Sequence, residues 1–330
     1  NNNLLNDNFI KVLPISEKFN GLDRNDLSTL NYSDLNYSIL NKSDSVLALL
    51  SSNRFKDTNL CPCKPGESES KKQLNSFIKS GIINSYNEAR DIPYLESTSN
   101  LSAALSLGTI SCRAVWNGAQ SSRKIATDQS QLDSIETWIK ELAWREFYQN
   151  ALINFPELEK GPYRKKWLNF PWQNRLDWFE SWKNGNTGIP IIDAAMRQLN
   201  HSGWMHNRCR MIVASFLVKD LLIDWRWGEN FFMKNLVDGD LASNNGGWQW
   251  SASSGMDPKP LRIFNPLRQA SKFDENGNYI RKWVPELSHV STTNLLSGQL
   301  DIYERKNYPE PIISHKDQTS IFRELYSNLN

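Results

Sequence analysis

Helical periodicity with no sustained β alternation is the sequence feature that most constrains the fold of this chain. From Ile135 to Leu152 the sequence reads I-E-T-W-I-K-E-L-A-W-R-E-F-Y-Q-N-A-L, without a proline or a glycine. Apolar residues also recur every three or four positions from Lys71 onward, across residues 191–199 and across residues 207–222. A half-buried strand would instead alternate with a period of two. The spacing therefore predicts an all-α fold.

The chain divides into two parts of different composition. Residues 1–70 are rich in Asn, Ser, Asp and Lys and show little periodicity, which is typical of a linker with short helical pieces. Residues 71–330 carry the helical pattern and are long enough to bury a sizeable core, so we expect them to form one helical domain. Because the sequence opens with Asn1 rather than Met, we expect it to be a fragment or a processed product.

Composition and charge exclude several classes of protein. The formal net charge is only +2, so binding to a nucleic acid would require a local basic patch. No apolar run is long enough to span a bilayer and no signal-peptide pattern is present, so we expect no membrane association. The four cysteines form no convincing disulfide framework, which favours a reduced compartment, the cytoplasm. The sequence indicates no protein partner.

Two stretches could suggest a metal site, and we interpret both as incidental. Cys61-Pro-Cys63 is a single C-x-C without a matching pair of His or Cys. His201, His206 and Cys209 lie close together in the sequence, but no fourth ligand stands near them. We therefore predict no metal.

The segment 238–250, D-G-D-L-A-S-N-N-G-G-W-Q-W, carries the densest set of functional groups in the chain. Its Asp, Asn and Gly residues predict a loop, or a loop entering a helix. It does not fit a calcium loop, because Ala242 stands at the third ligand position and Gln249 stands where a bidentate Glu is needed. Gly246 and Gly247 would let the backbone come close to a flat or bulky group.

One helix face combines indoles with an acid. Trp138, Glu141, Trp144 and Tyr148 recur at three and four residues, so they share a face of the helix predicted over residues 135–152. An aromatic stripe of this kind is usually core. A carboxylate within it should be paired or should face a polar ligand, because an unpaired buried charge is costly.

Two further segments carry polar groups at helical positions. The hydroxyl-rich stretch Thr98–Leu105 lies at a predicted helix start, where it could cap the helix or hold a phosphate. In the helix predicted to begin at Asn207, the residues Asn207, Arg210 and Met211 share one face, and Arg208 points elsewhere. Together with the acid and indole face and the segment 238–250, these parts suit a large aromatic cofactor with phosphates beside an aromatic pocket. No Ser-His-Asp arrangement, P-loop or G-x-G-x-x-G pattern is present.

Four motifs carry a resemblance to a known family. They are E-L-A-W-R-E-F-Y (141–148), G-W-M-H-N-R-C-R-M (203–211), the segment 238–250, and L-R-I-F-N-P (261–266). From about Lys71 onward the chain resembles the flavin-binding region of the DNA photolyase/cryptochrome family, and most of all the class I, cyanobacterial-type photolyases that repair cyclobutane pyrimidine dimers. No segment of this sequence resembles the N-terminal α/β antenna domain of that family, so we expect that domain to be missing, and residues 1–70 are similar only to the linker that follows it.

The resemblance implies that FAD is bound in a U-shaped form within an all-helical domain. The active cofactor would be the reduced, anionic flavin, which a hydrogen bond from Asn244 to the central ring would favour. An antenna chromophore is not supported in this chain. The positions that match the cofactor contacts of the family are Tyr86, Thr98, Ser99, Asn100, Leu101, Ser102, Arg210, Asp238, Gly239, Asp240 and Asn244.

The implied activity is light-driven repair of damaged DNA. An electron would pass from the excited reduced flavin to a dimer flipped out of the duplex, the cyclobutane ring would split, and the electron would return. Matching catalytic and electron-relay positions are Trp248, Trp225, Trp172, Glu141 and Asn244. Matching dimer and DNA contacts are Arg90, Glu141, Trp144, Arg145, Tyr148, Asn207, Arg208, Met211, Trp250 and Arg262. Trp144 and Trp250 would form the walls of the dimer pocket. The expected location is the bacterial cytoplasm, on nucleoid DNA.

Three alternatives remain beside this interpretation. A cryptochrome-like blue-light receptor without repair activity is the nearest, although Asn244 favours repair because plant and animal cryptochromes tend to carry Asp or Cys there. A (6-4) photolyase would have histidines in place of Asn207 and Met211. A single-stranded nucleic-acid binder could use indole platforms and arginines, but it would not require the hydroxyl cluster and the segment 238–250 together.

Overall fold

The computed structural model describes residues 61–257 and 261–329, and the predicted linker remnant therefore lies almost entirely outside the described residues. Within those ranges the regular structure is helical and contains no β-strand, which confirms the predicted all-α fold. In chain order the α-helices are α1 (Glu67–Lys79), α2 (Tyr86–Ala89), α3 (Ser102–Ser106), α4 (Cys112–Ile125), α5 (Gln129–Asn154), α6 (Leu176–Lys183), α7 (Pro190–Ser202), α8 (Asn207–Lys219), α9 (Trp225–Asn235), α10 (Leu241–Ala252), α11 (Pro266–Phe273), α12 (Asn278–Trp283), α13 (Thr292–Ser297), α14 (Ile302–Arg305) and α15 (His315–Ser327). Short 3-10 turns lie at Ile82–Ser85, Pro156–Glu159, Lys165–Asn169 and Pro285–Leu287.

Helix α5 is the long helix expected from the unbroken sequence. Its N-terminus is capped by Asp128, whose carboxylate accepts a hydrogen bond from the backbone N–H of Gln131. The helix ends before Pro156, which cannot continue the hydrogen-bonding pattern. Its buried residues all lie in its first half, and Trp138 packs against Phe77 of α1 with ring centroids 5.0 Å apart. Trp138, the first residue of the predicted acid and indole face, therefore belongs to this small core, and Glu141, Trp144 and Tyr148 follow it along the helix.

A larger core surrounds helix α8. Ile212, Phe216 and Leu217 of this helix are buried, and they pack within one cluster with side chains of α7, α9 and α10. The helix ends at Lys219, three residues before the predicted end at Leu222. Leu222 has a φ of 52°, so the chain turns there and its carbonyl accepts hydrogen bonds from residues 173 and 174 instead of closing another helical turn.

Helix α7 extends beyond the predicted residues 191–199 by one residue at its start and three at its end. It begins with Pro190, whose missing N–H costs nothing in the first turn of a helix. It ends at Gly203, which adopts the left-handed conformation with a φ of 67°. The chain turns at Gly203, and α8 begins four residues later, at Asn207.

The hydroxyl-rich stretch does not cap a helix as predicted. Helix α3 begins at Ser102 with Leu101 in the capping position and with no side-chain cap. Thr98 donates its hydroxyl hydrogen bond to Oδ1 of Asn100 instead, and Asn100 has a φ of 50°. The capping interpretation was wrong, because no side chain of this stretch accepts a capping hydrogen bond from the first turn of α3. The loop therefore remains irregular where it faces the neighbouring helices.

Among the described residues, no helix is both long enough and apolar enough to cross a bilayer. The described His, Cys, Asp and Glu side chains also do not gather in any group of three that could hold a metal ion. The four cysteines are all free thiols.

Candidate active site

One cavity, about 520 Å³ in volume, brings the predicted site segments together. It lies where α5, α8 and α10 meet the segment 86–106, and its size is typical of a ligand site. The predicted site residues that line it are Tyr86, Arg90, Ser99, Leu101, Ser102, Glu141, Trp144, Arg145, Tyr148, Asn207, Arg210, Met211, Asp238, Gly239, Asp240, Asn244, Trp248 and Trp250. Those outside its lining are Thr98, Asn100, Trp172, Arg208, Trp225 and Arg262.

The segment 238–250 is a short turn that enters helix α10, as the sequence predicted. Asp240 caps the helix: its Oδ1 accepts a hydrogen bond from the backbone N–H of Ser243 at 2.8 Å. Its Oδ2 accepts a hydrogen bond from Nε2 of Gln149 at 2.8 Å, which ties the start of α10 to α5. The cap fixes the direction of α10 and so presents Asn244 and Gly247 to the cavity.

Asp238 is a buried carboxylate with one oxygen still available. Its Oδ2 forms an ion pair with Nη2 of Arg210 at 2.8 Å, and Nε of Arg210 donates to the carbonyl of Met205 at 2.8 Å. Oδ1 of Asp238 is buried and has no hydrogen-bond partner among the described residues. A buried oxygen of this kind is costly to leave unpaired, so a ligand hydroxyl or N–H in the cavity would relieve that cost.

The two adjacent amides of α10 point in different directions. Asn244 lines the cavity, and its Nδ2 donates to the backbone carbonyl of Glu229 at 3.1 Å, which fixes the orientation of the amide. Asn245 is buried, and its Nδ2 donates to the carbonyl of Leu158 and to Oε1 of Glu229, each at 2.8 Å. Burial raises the pKa of Glu229 to about 7, although the hydrogen bond from Asn245 opposes that shift. Asn244 therefore faces the cavity, whereas Asn245 forms hydrogen bonds within the core.

The carboxylate on the indole face of α5 is paired. Oε1 of Glu141 lies 2.5 Å from Nη1 of Arg90, and both side chains line the cavity. The guanidinium of Arg90 also lies over the ring of Tyr86, 5.4 Å from its centroid. Arg90 and Arg208 both approach Asp91, with N–O distances of 3.9 and 2.6 Å. The pairing explains how an acid is tolerated on an aromatic face.

Aromatic rings form the open side of the cavity. Trp144 is 54% exposed and stacks on Tyr148 with centroids 6.0 Å apart, so the cavity has an aromatic wall that faces solvent. Tyr148 packs directly on Gly246, where a Cβ atom would lie 2.1 Å from the tyrosine ring. On the opposite wall, the guanidinium of Arg262 lies 5.0 Å from the centroid of the Trp250 ring. Such walls suit a planar ligand that enters from solvent.

The three predicted relay tryptophans belong to the large core around α8 or pack against it. Trp248 is buried, lines the cavity and contacts Phe232 with centroids 5.0 Å apart. Trp225 is buried in the same cluster, and Trp172 is partly buried against it. No ring contact among the described residues joins the three directly. Trp182, which the sequence did not single out, lies next to Trp248 with centroids 6.1 Å apart.

Several lining residues were not predicted from the sequence. Ser106 donates its hydroxyl hydrogen bond to the carbonyl of Gly239 at 2.9 Å, and so joins α3 to the turn before α10. Ser243 and Phe232 also line the cavity. Gly239 and Ser106 are 133 positions apart, so no local signal in the sequence indicates this contact.

The residues present fit a flavin dinucleotide. The buried Oδ1 of Asp238 can accept from a ligand, and a Cβ at Gly247 would meet no atom within 4 Å, which leaves room for a bulky group above that helix. Ser99 and Ser102 line the same space, and their hydroxyls can donate hydrogen bonds to phosphate oxygens. The aromatic and apolar lining suits a planar ring system.

Comparisons with known proteins agree with this fit. Residues 138–328 match the family model for the FAD binding domain of DNA photolyase. The chain is 53% identical over 268 residues to the deoxyribodipyrimidine photo-lyase of Synechococcus sp., a match that covers 81% of this chain and 55% of the relative. It is 46% identical over 254 residues to the deoxyribodipyrimidine photo-lyase of Escherichia coli, covering 74% of this chain and 52% of that protein.

Solved structures give the same result. A bacterial class III photolyase from Agrobacterium tumefaciens superposes with a TM-score of 0.79 at 39% identity, covering 84% of this chain and 59% of that one. A cryptochrome from Synechocystis sp. PCC6803 superposes with a TM-score of 0.75 at 31% identity, covering 82% of this chain and 58% of the other. The chain belongs to the photolyase FAD-binding-domain family. It spans about half the length of the curated relatives that it matches.

Proposed function

We propose that this chain holds FAD in the cavity and uses light to split cyclobutane pyrimidine dimers in DNA, the activity for which its deoxyribodipyrimidine photo-lyase relatives are named. One observation carries the proposal. A single cavity contains a buried carboxylate with an unpaired acceptor oxygen, Asp238, and an ion-paired acid, Glu141, on the same helix as the exposed indole of Trp144. The first arrangement suits a cofactor with hydroxyls, and the second suits a planar substrate with polar edges.

The proposal assigns cofactor binding to the inner part of the cavity. Asp238 would accept a hydrogen bond through Oδ1 while Arg210 holds its other oxygen. Asn244 would face the central ring of the flavin, with its amide oriented by the carbonyl of Glu229. The chemistry supplied by bound, reduced FAD is the donation of one electron under light. The other proposed cofactor contacts are Tyr86, Thr98, Ser99, Asn100, Leu101, Ser102, Gly239 and Asp240.

Thr98 and Asn100 support that assignment only indirectly. Neither lines the cavity, and they bond to each other. The carbonyl of Asn100 also accepts a hydrogen bond from Nε2 of Gln73 at 3.3 Å. We propose that these two residues shape the loop, and that Ser99 and Ser102, which line the cavity, contact the cofactor phosphates.

The proposal assigns the damaged dinucleotide to the outer part of the cavity. Trp144 and Trp250 would contact its faces, and Met211 would lie beneath it. Glu141 and Asn207 would hydrogen bond the edges of the pyrimidines. The Arg90 ion pair holds the Glu141 side chain in place, so its carboxylate can accept a hydrogen bond from an N–H without reorganising.

The proposed electron relay runs through Trp248, Trp225 and Trp172. Burial of the first two in one aromatic cluster, with Trp172 nearer to solvent, supports that order. Because no ring contact joins them directly, electrons would cross the gaps between these rings through the packed interior. Trp182, beside Trp248, is a further aromatic group along this route.

The proposed DNA surface comprises arginines around the cavity mouth. Arg145 lines the cavity, and the side chain of Arg262 is 40% exposed, so both can reach phosphates. The side chain of Arg208 is only 16% exposed and is held by Asp91, so we propose that it organises Arg90 and Asp91 and contributes less to DNA binding. Binding should weaken with added salt, since phosphate contacts release counterions.

The proposed function also implies domain limits and a cellular location for this chain. We propose that residues 71–330 form the FAD-binding and catalytic domain, and that residues 1–70 are what remains of an interdomain linker. The first described α-helix starts four residues before that limit, at Glu67. Because relatives come from bacteria such as Escherichia coli, we propose that this chain acts in the bacterial cytoplasm, on nucleoid DNA.

A light-sensing role without repair is the second candidate, because a cryptochrome is among the structural relatives. Two variants of α5 separate the candidates. Glu141→Gln should retain flavin but repair dimers about tenfold more slowly, because a charge-assisted hydrogen bond is worth about 1.5–3 kcal/mol. Glu136→Gln is the matched control: Glu136 lies on the same helix, lines neither cavity and should leave repair unchanged.

The measurement is the rate of dimer loss under blue light, with flavin content determined by absorbance in the same samples. Equal repair rates for Glu141→Gln and the unmodified chain would refute the assigned dimer pocket. An unmodified chain that binds flavin, photoreduces it and leaves every dimer intact would favour the receptor role instead.

A further inference from the structure

A second cavity adjoins the first and has no role in the proposal above. Its volume is about 650 Å³, and it shares Trp144, Tyr148 and Trp250 with the first cavity. The rest of its wall comes from the outer face of α5, the turn around Tyr163 and the chain after α10. A pocket that shares walls with a substrate site is placed to receive a part of the same substrate.

The lining of the second cavity is aromatic and exposed. Phe147 and Tyr163 are each 44% exposed, and Trp144 is 54% exposed. Phe147 contacts Trp144 and Tyr148 with ring centroids 5.6 and 5.4 Å apart, so its position is fixed by two neighbours. Three large aromatic side chains exposed around one pocket form an unusual surface, and such surfaces mark binding sites.

Positive charge lies at the edge of this pocket. Lys140 and Arg262 both line it, together with the carboxylate of Asp257, so the cations outnumber the anions. Arg262 is held over the Trp250 ring and lies 3.3 Å from Asp257, so its guanidinium is fixed at the rim. Aromatic faces flanked by cations are the arrangement that binds a nucleobase together with its phosphate.

The amides in the pocket are already engaged with the protein. Oε1 of Gln249 accepts a hydrogen bond from the backbone N–H of Tyr163 at 2.8 Å, and its Nε2 donates to Oδ1 of Asn245 at 2.8 Å. Nδ2 of Asn245 in turn donates to the carbonyl of Leu158 and the carboxylate of Glu229. Since these groups are used internally, the pocket offers stacking faces in preference to base-edge hydrogen bonds. An occupant would be held irrespective of its base identity.

We propose that this second cavity is a subsite for the nucleobase that adjoins the dimer in the damaged strand, stacked on Phe147 and Tyr163 with its phosphate near Lys140 and Arg262. The inference rests on the proposed function. Flipping the dimer out of the duplex unstacks its neighbour, and the pocket gives that neighbour a new stacking partner. The shared wall at Trp144 places the two bases on either side of one indole.

The test compares DNA affinities of two variants on α5. Phe147→Ala removes a stacking face of the pocket. Ile153→Ala is the matched control, because Ile153 is also an exposed apolar residue of α5 and lines neither cavity. Each protein is loaded with flavin and titrated in the dark with a dimer-containing oligonucleotide, the same oligonucleotide with an abasic site on one or other side of the dimer, and the isolated dimer dinucleotide.

The expected result is a loss of about tenfold in affinity of Phe147→Ala for the intact oligonucleotide, since stacking on an aromatic side chain is worth about 1–3 kcal/mol per base. The abasic site should weaken the unmodified protein by a similar factor but leave Phe147→Ala almost unaffected. Affinity for the isolated dimer should be equal for all three proteins, and Ile153→Ala should match the unmodified chain throughout.

Two results would overturn the inference while leaving the proposed function intact. One is an unchanged affinity of Phe147→Ala for the oligonucleotide, which is also the result expected if the pocket binds a protein or a small molecule. The other is an equal loss for the oligonucleotide and the isolated dimer, which would mean that Phe147 acts only through the dimer pocket. Failure of the unmodified chain to bind any dimer would instead reject both proposals, and it is recognised before any variant is compared.

Discussion

The contact between Gly246 and Tyr148 gives a sharp prediction, because the neighbouring glycine supplies its own control. A Cβ at Gly246 would lie 2.1 and 2.2 Å from Cδ1 and Cε1 of Tyr148. The tyrosine ring cannot simply swing away, because it contacts Trp144 and Phe147 with centroids 6.0 and 5.4 Å apart. A Cβ at Gly247 would meet no atom within 4 Å. Both glycines lie inside α10, so their helix propensities are equivalent.

The magnitudes follow from two opposing effects. Replacing glycine by alanine inside a helix stabilises it by about 1 kcal/mol. Gly247→Ala should gain this amount in the flavin-free protein. Gly246→Ala should gain the same amount but lose about 1–3 kcal/mol to overpacking against Tyr148. The free energies of unfolding of the two variants should therefore differ by about 1–3 kcal/mol, with Gly246→Ala the less stable.

The assay is urea denaturation of both variants without flavin, since a bound ligand would add its own stabilisation. Flavin titration then adds a second contrast. Gly247 lines the cavity, so Gly247→Ala should bind flavin more weakly even though the protein itself is more stable. Equal unfolding free energies for the two variants would refute the packing argument. Unchanged flavin affinity in Gly247→Ala would show that the cofactor does not approach that part of α10.

Three further predictions concern buried groups of the site. Asp238→Asn removes the charged partner of Arg210 and an acceptor worth about 1.5–3 kcal/mol, so it should weaken flavin binding about tenfold or more. Flavin titration followed by absorbance measures the affinity. An unchanged affinity would count against the assignment of Asp238 to the cofactor. Burial lowers the pKa of His206 to about 4, so the native state holds this side chain neutral while the unfolded state protonates it near pH 6.5. Relative to His206→Asn, the unmodified chain should therefore lose about 3 kcal/mol of stability as the pH falls from 6.5 to 4. Urea denaturation of both proteins at both pH values measures this loss. If the two proteins differed in stability by the same amount at both pH values, the burial argument would be contradicted. Trp248→Phe should keep flavin bound but slow its photoreduction by an external reductant, and an unchanged rate would remove this residue from the relay.

Features determined by neighbouring residues could be predicted from the sequence. The bounds of α7 follow from Pro190 and Gly203, each of which acts on the backbone at its own position. The turn into α10 follows from Asp240, whose carboxylate accepts a hydrogen bond from the backbone N–H of Ser243, three residues later. The common face of Asn207, Arg210 and Met211 follows from helical geometry, and all three line the cavity.

Features that depend on distant contacts could not be predicted from residues alone. The partner of Glu141 is Arg90, 51 positions away, and the sequence indicates only that some partner is needed. The hydroxyl-rich stretch looks like a cap locally, but Asn100 adopts a positive φ and Thr98 bonds to it, so Leu101 occupies the capping position. In these cases tertiary contacts outweigh local preference.

The second cavity illustrates the same limit. In the sequence, nothing distinguishes Phe147 from the other aromatic residues of a long helix, and Tyr163 lies in a stretch without periodicity. Only the fold brings both beside Trp250 and shows that the amide of Gln249 is already used by the backbone of Tyr163. A sequence pattern does not show which polar groups already have hydrogen-bond partners in the folded protein.

The central claim is that this chain holds FAD and uses light to reverse dimers in DNA. The most direct measurement counts the dimers that remain in irradiated DNA after incubation with the purified, flavin-loaded and reduced chain, in blue light and in the dark. The account predicts that dimers disappear in the light and persist in the dark. Dimers that persist equally in both, with flavin visibly bound, would contradict it.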